Sequence, residues 1–223
     1  MHEKGILHAD IKPLNIMRID NRLLLIDLDA ACRIGVDSVG FKSSSAFVPP
    51  EAIYVDKEKG IAVVKSEESR AANNNAFDLL IAHESFDVWA LGCILYAMGN
   101  EDAMPPFVGG QDDNLSSDRS KSDNLFALQE WSVSLKSKKL QSIKDPALRN
   151  LVSQMLSKDP KNRPTLQRVL AHPFLSMKKV VRMLGDKPLC DLFFNYRVNS
   201  DAAHVKKLYD ILTARGLKVI MSI

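Results

Sequence analysis

Apolar positions along the chain fall into distinct patterns, each predicting an element. Leu23 to Ile26 is a short unbroken apolar run closed by Asp27, which predicts a buried strand delivering that aspartate at its end. Val88 to Met98 is apolar on nearly every face and too short to span a bilayer, so it predicts a helix buried in a domain centre. Leu125 to Leu140, Pro146 to Leu156 and Thr165 to Leu170 carry apolar residues at helical spacing. Asp145 is placed to cap the second of these, with Pro146 in the first turn where a missing N–H costs nothing.

Polar stretches interrupt this order. Residues 52–86 contain Lys57-Glu58-Lys59-Gly60, the β-prone Ile61-Ala62-Val63-Val64 and Asn73-Asn74-Asn75, which predicts a mobile surface insertion built on a hairpin. Gly109 to Asn124, rich in Gly, Asp, Ser and Asn, predicts a disordered loop. The character then changes. Cys190 to Arg197 alternates and ends at a turn, Asp201 to Arg215 has a helical stripe closed by Gly216, and Leu217 to Ile223 is β-like, a βαβ order.

Composition narrows the classes. With 223 residues and 46% hydrophobic content the chain can bury a substantial core in one large or two modest domains. A net charge of +3 is too small to argue for nucleic acid or a membrane as partner. Cys32, Cys93 and Cys190 lie far apart and in no ligand spacing, so they read as buried apolar thiols in a reducing, cytoplasmic compartment. Met1 to Gly5 is polar and leads straight into the chemistry below, so no signal peptide is expected and the protein should be soluble.

The chemistry is concentrated in His8-Ala9-Asp10-Ile11-Lys12-Pro13-Leu14-Asn15 and in Leu24-Leu25-Ile26-Asp27-Leu28-Asp29. Singly, Asp10 and Asn15 suit turn caps and Lys12 a solvated charge. Together they supply an acid to orient a hydroxyl, a cation near a transferring phosphate and two oxygen ligands for Mg²⁺, the set that phosphoryl transfer from ATP needs. Pro13 keeps the segment out of a helix.

These residues resemble the catalytic loop and metal-binding aspartate of the protein kinase family, whose loop reads His-Arg-Asp with Lys two and Asn five residues after the Asp. The resemblance implies Asp10 as catalytic base, Lys12 as γ-phosphate contact, and Asn15 and Asp27 as ligands of Mg²⁺, with ATP held by Lys12, Asn15 and Asp27. Lys at that position is the serine/threonine pattern. Pro49-Pro50-Glu51 resembles the triplet closing the activation segment, and Asp87 to Gly92 the start of the central helix. Pro106-Phe107-Val108-Gly109 and Asp159 to Thr165 resemble later signatures. The implied scaffold residues are His8, Glu51 paired with Arg163, and Asp87 bonded to the catalytic-loop backbone.

The terminal βαβ segment resembles the opening of a Toll/interleukin-1 receptor (TIR) domain, through Asp191 to Arg197 and Gly216-Leu217-Lys218-Val219. The family's later loop and catalytic glutamate have no counterpart here, so neither NAD cleavage nor a complete interaction surface is carried over. The resemblances imply a mainly α fold: a protein-kinase-like C-lobe lacking the N-lobe at 1–176, a linker at 177–187, and an incomplete α/β (βαβ) TIR-like segment at 188–223. The glycine-rich loop, strand lysine and helix glutamate that hold ATP in a kinase find no match, so the chain is expected to be a fragment, inactive alone.

Two departures refine the expectation. Ala9 replaces the family's Arg, so phosphorylating Ser43, Ser44 or Ser45 should not switch activity through that contact. Asp29 stands where the family has Gly and Leu28 where it has Phe, so the metal-binding triplet should flip less readily. Two functions follow: part of an ATP-dependent serine/threonine kinase acting on protein substrates in intracellular signalling, or an inactive pseudokinase scaffold docking partners, TIR domains among them.

Overall fold

In chain order the first half holds β1 (Ile6–Leu7), β2 (Ile16–Ile19), β3 (Arg22–Leu25), β4 (Cys32–Arg33), β5 (Ile53–Asp56), β6 (Ile61–Val64) and α1 (Glu67–Ala72). There follow α2 (Ser85–Gly99), α3 (Leu125–Glu130), α4 (Val133–Leu140), α5 (Pro146–Met155), α6 (Leu166–Leu170), α7 (Pro173–Ser176), β7 (Leu192–Phe194) and β8 (Val219–Met221). The computed structural model describes residues 1–19, 22–40, 44–110, 113–176, 192–194 and 219–221.

The fold is built around α2. Its apolar residues point in every direction, and Trp89 and Cys93 are fully buried, because the helix is surrounded rather than laid on a surface. Gly92 lets α5 approach: a Cβ there would sit 3.0 Å from the side chains of Met155 and Leu156. On α5, Leu148, Leu151, Val152 and Met155 make the buried stripe, while Asp145 accepts the Ala147 and Leu148 N–H groups as its cap. None of the described helices is long and apolar enough to cross a membrane.

Short antiparallel pairs flank the helices: β1 with β4, β2 with β3, and β5 with β6. The predicted strand ending at Asp27 forms as β3, but it is not buried. Leu23 is 74% exposed and Leu24 and Leu25 more than 40%, because β2–β3 is a two-stranded hairpin with no layer over it among the described residues.

Three other expectations change. The hairpin predicted within 52–86 is β5–β6, yet it is anchored rather than mobile, since Ile53 and Ala62 are buried and both strands pack against α3. The loop predicted disordered at 109–124 buries Leu115, and its Ser116 carbonyl accepts the Leu125 N–H. The helix predicted over 125–140 is two helices. Trp131 takes φ 25° to break it, its indole N–H donates to the Leu156 carbonyl at 2.8 Å, and Ser132 starts α4 by capping the Leu135 N–H.

At the C-terminal end β7 and β8 pair in parallel, Leu192 opposite Val219 and Phe194 opposite Met221, as a βαβ order requires. The helix predicted at 201–215, the linker at 177–187 and Cys190 lie outside the described residues.

Candidate active site

The loop bearing Asp10 rests on the first turn of α2. There Asp87, almost wholly buried, accepts the Ala9 N–H on Oδ1 at 3.0 Å. Its Oδ2 accepts the His8 N–H at 3.0 Å and meets His2 Nε2 at 2.7 Å. Two successive N–H groups aimed at one carboxylate hold Ala9 at φ 62°, a left-handed conformation that a residue with a Cβ reaches only under such constraint. His8 adds a second brace. Its Nδ1 accepts the Asp10 N–H at 3.3 Å, so the ring proton sits on Nε2 and donates to the Ile26 carbonyl at 3.1 Å. One imidazole thereby ties the strand before Asp27 to the loop carrying Asp10.

Asp10, Lys12 and Asn15 are brought together. Asn15, buried at the end of the Pro13–Asn15 turn, donates its amide N–H₂ to the Asp10 backbone carbonyl at 2.8 Å and to Asp10 Oδ2 at 3.0 Å. Lys12 Nζ lies 3.3 Å from the same Oδ2 and donates to Ser44 Oγ at 2.6 Å. Both cation and amide thus use Oδ2 of Asp10, and Oδ1 accepts no hydrogen bond among the described residues.

Asp27 comes beside Asn15 through the backbone, since the Ile26 N–H donates to the Asn15 carbonyl at 2.9 Å and the β2–β3 register places Ile16 opposite Leu25. Asp27 takes φ 61°, whereas Asp29 does not have positive φ, so the residue standing where the family has Gly carries no such strain. A Leu28–Ala31 turn, closed by a 3.0 Å N–H to carbonyl bond, carries the chain onward. The donor chemistry fits Mg²⁺. With its N–H₂ committed to two acceptors, the Asn15 amide has its oxygen on the other side, and an amide oxygen together with the Asp27 carboxylate would supply two hard oxygen ligands of the kind Mg²⁺ takes while keeping waters. Among the described residues there is no cluster of three or more His, Cys, Asp or Glu that would hold a metal by itself.

Beneath the site Glu51 and Arg163 form a forked pair at 2.6 and 2.7 Å, with the Arg163 side chain fully buried. Arg163 also donates to the carbonyls of Ser157, Ser85 and Lys158 and stacks over Trp89. The thiols take no part. Burial raises the pKa of Cys32, with the charges of Asp37 and Asp87 adding to it, and burial pushes Cys93 far higher.

Three participants escape the sequence patterns: His2 on Asp87, Ser44 on Lys12, and Asn114 on Ser45. Only the apolar Ala46-Phe47-Val48 following the serines hints that these hydroxyls are buried. Ser44 and Ser45 are 5% and 1% exposed with both hydroxyls bonded, while Ser43 lies outside the described residues.

Residues 79–175 match the family model described as the protein kinase domain. Among similar proteins, the serine/threonine-protein kinase mph1 of Schizosaccharomyces pombe is 26% identical over 99% of this chain and 31% of its own length. The dual specificity protein kinase Ttk of Danio rerio is 28% identical over 80% of this chain and 16% of its own. The chain therefore spans less than a third of the length of these relatives. A crystal structure of the Rad53 kinase domain and SCD2 in complex with AMPPNP covers 79% of this chain and 53% of that one, at TM-score 0.46 and 21% identity.

Proposed function

We propose that this chain carries the catalytic loop of an ATP-dependent serine/threonine protein kinase, within a C-lobe-like body at 1–176. The observation that carries the reading is the convergence on Asp10 Oδ2 of the Asn15 amide and the Lys12 ammonium, which leaves Oδ1 to a substrate hydroxyl. In this arrangement Asp10 orients the hydroxyl and takes its proton at Oδ1 as the oxygen attacks the γ-phosphorus. Lys12, already bridging Asp10 and Ser44, places its charge where negative charge builds on the phosphoryl oxygens. Asn15 and Asp27 would hold Mg²⁺, which would supply neutralisation of the nucleotide phosphates. Similarity to serine/threonine and dual-specificity kinases supports the reading, and the unpaired thiols of Cys32 and Cys93 suit a reducing, cytoplasmic signalling role.

A second reading is favoured by the exposed apolar residues of the β2–β3 hairpin, Met17, Ile19 and Leu24 on one face and Leu23 on the other, apolar surface of the kind that marks interaction sites. In it the body is a scaffold, and the parallel β7–β8 pair belongs to a TIR-like segment at 188–223 that docks other TIR domains. One experiment separates the two: ATP·Mg²⁺ binding and γ-phosphate transfer to serine- and threonine-containing peptides, measured on a full-length protein that carries this chain together with an ATP-holding N-lobe, and on its Asp10→Asn form. The kinase reading expects transfer to fall at least about 100-fold with nucleotide still bound. Neither binding nor transfer in the parent protein overturns it and leaves the scaffold.

A further inference from the structure

The segment before Pro49 is held from outside itself. Ser45 directs both its N–H (3.3 Å) and its Oγ (3.4 Å) at Asn114 Oδ1, its Oγ accepts the Leu115 N–H at 2.6 Å, and the Ala46 N–H donates to the Asp113 carbonyl at 3.0 Å. Three consecutive residues of the 109–124 loop thus pair with two of the segment, and Ala46 and Leu115 are buried at the junction. The loop is shaped for this. The Asp113 N–H returns to the Gly110 carbonyl at 3.0 Å and the Gly110 N–H to the Asn114 carbonyl at 2.9 Å. A Cβ on Gly109 would fall 2.5 Å from the Asp113 carbonyl carbon, so only glycine lets the turn close. At its far end the Ser116 carbonyl takes the Leu125 N–H that opens α3.

The neighbour of Ser45 is Ser44, whose hydroxyl receives Lys12. Ala9, a methyl buried at the base of the site, offers the segment no cation that a phosphate would need to order it. We infer that residues 113–115 are a built-in clamp, with Asn114 a positioning residue that, by holding Ser45, fixes Ser44 and so poses Lys12 beside Asp10 without phosphorylation. The inference takes the purpose of Lys12 from the phosphoryl-transfer reading, but the clamp itself is measurable without nucleotide.

The test uses the full chain and two readouts: amide hydrogen exchange at Ala46 and Leu115, and the rate at which a water-soluble acylating ester modifies Lys12, with Ser44→Ala as the reference for a released lysine. Asn114→Ala should speed both exchange and Lys12 acylation by about five- to tenfold, the effect of losing one or two net hydrogen bonds. Asn114→Asp, whose carboxylate still accepts both Ser45 bonds, should return both near the parent values. Gly109→Ala attacks the same clamp from the far side of the turn and should mimic Asn114→Ala. It also serves as the test if Asn114→Ala loses its far-UV circular dichroism. Lys12 acylation unchanged while Ala46 exchange rises would make the loop a structural brace only and overturn the inference, as would no change in either. Absence of phosphotransfer in the parent protein would sink the kinase reading yet leave these rates, and the clamp, where they stand.

Discussion

The two sides of the candidate site are held in different ways. On the side of Asp10, charge does the holding in a dry interior: the Asp87 carboxylate takes two backbone N–H groups, and the Glu51–Arg163 pair locks the end of the segment onto the helical body. On the side of Asp27, the support is the β2–β3 hairpin, with Leu23 to Leu25 facing solvent. His8 is a direct tie between them. The contrast teaches that Asp10 is positioned by the body of the chain, whereas Asp27 depends on a hairpin with little of its own to pack on.

The comparison breaks most readily at Arg163. Arg163→Ala removes a fully buried guanidinium with its bonds to Glu51 and three carbonyls, and leaves the half-buried Glu51 carboxylate without its partner; it should cost about 3–5 kcal/mol in urea unfolding, and a loss below about 1 kcal/mol would mean that the body is not organised by this pair. Asp87→Asn keeps the shape but leaves one oxygen to serve the His8 and Ala9 N–H groups and His2, so a loss of about 1–3 kcal/mol is expected, with faster amide exchange at His8 and Ala9. On the hairpin the sign of interest is its smallness. Leu23→Ser should leave the unfolding midpoint within about 0.5 kcal/mol, and a larger cost would show that side to be packed after all.

The smallest effect belongs to the stretch joining the two sides, where Asp37 accepts from Arg33 at 2.8 and 3.0 Å. The Arg33 side-chain hydrogen bond, helped by its backbone N–H, lowers the Asp37 pKa from 3.8 to about 2. Because the folded value lies below the unfolded one, the contribution is present above about pH 4 and is lost as pH falls toward 2. The pair is solvent-facing, so the gap in thermal midpoint between the protein and Asp37→Asn should be slight at pH 5 and close by pH 2.

What the sequence made legible follows from how local each signal is. Asp10, Lys12 and Asn15 lie within one turn and its flanks, so their spacing alone predicts that they converge, and the caps at Asp145 and the all-round apolarity of α2 are read from neighbours along the chain. The β3 strand was legible but its exposure was not, because apolarity along a run reports what a strand could bury and says nothing of what covers it. Ser44 and Asn114 were illegible for a plainer reason: their contacts span 32 and 69 residues, and no periodicity reaches that far. The break at Trp131 hid inside a helical apolar spacing because its cause is a distant carbonyl, that of Leu156.

The chain has two tryptophans, and both sit in the same place: Trp89 and Trp131 meet edge to face, ring centres 5.6 Å apart, buried at the heart of the helices. Its tryptophan emission, excited away from the tyrosines, is therefore a single-site probe of the helical body and blind to the β2–β3 hairpin. An unfolding curve recorded by emission alone will look sharply two-state even where the Asp27 side has already frayed, and only a label placed on β2 or β3 will see the difference.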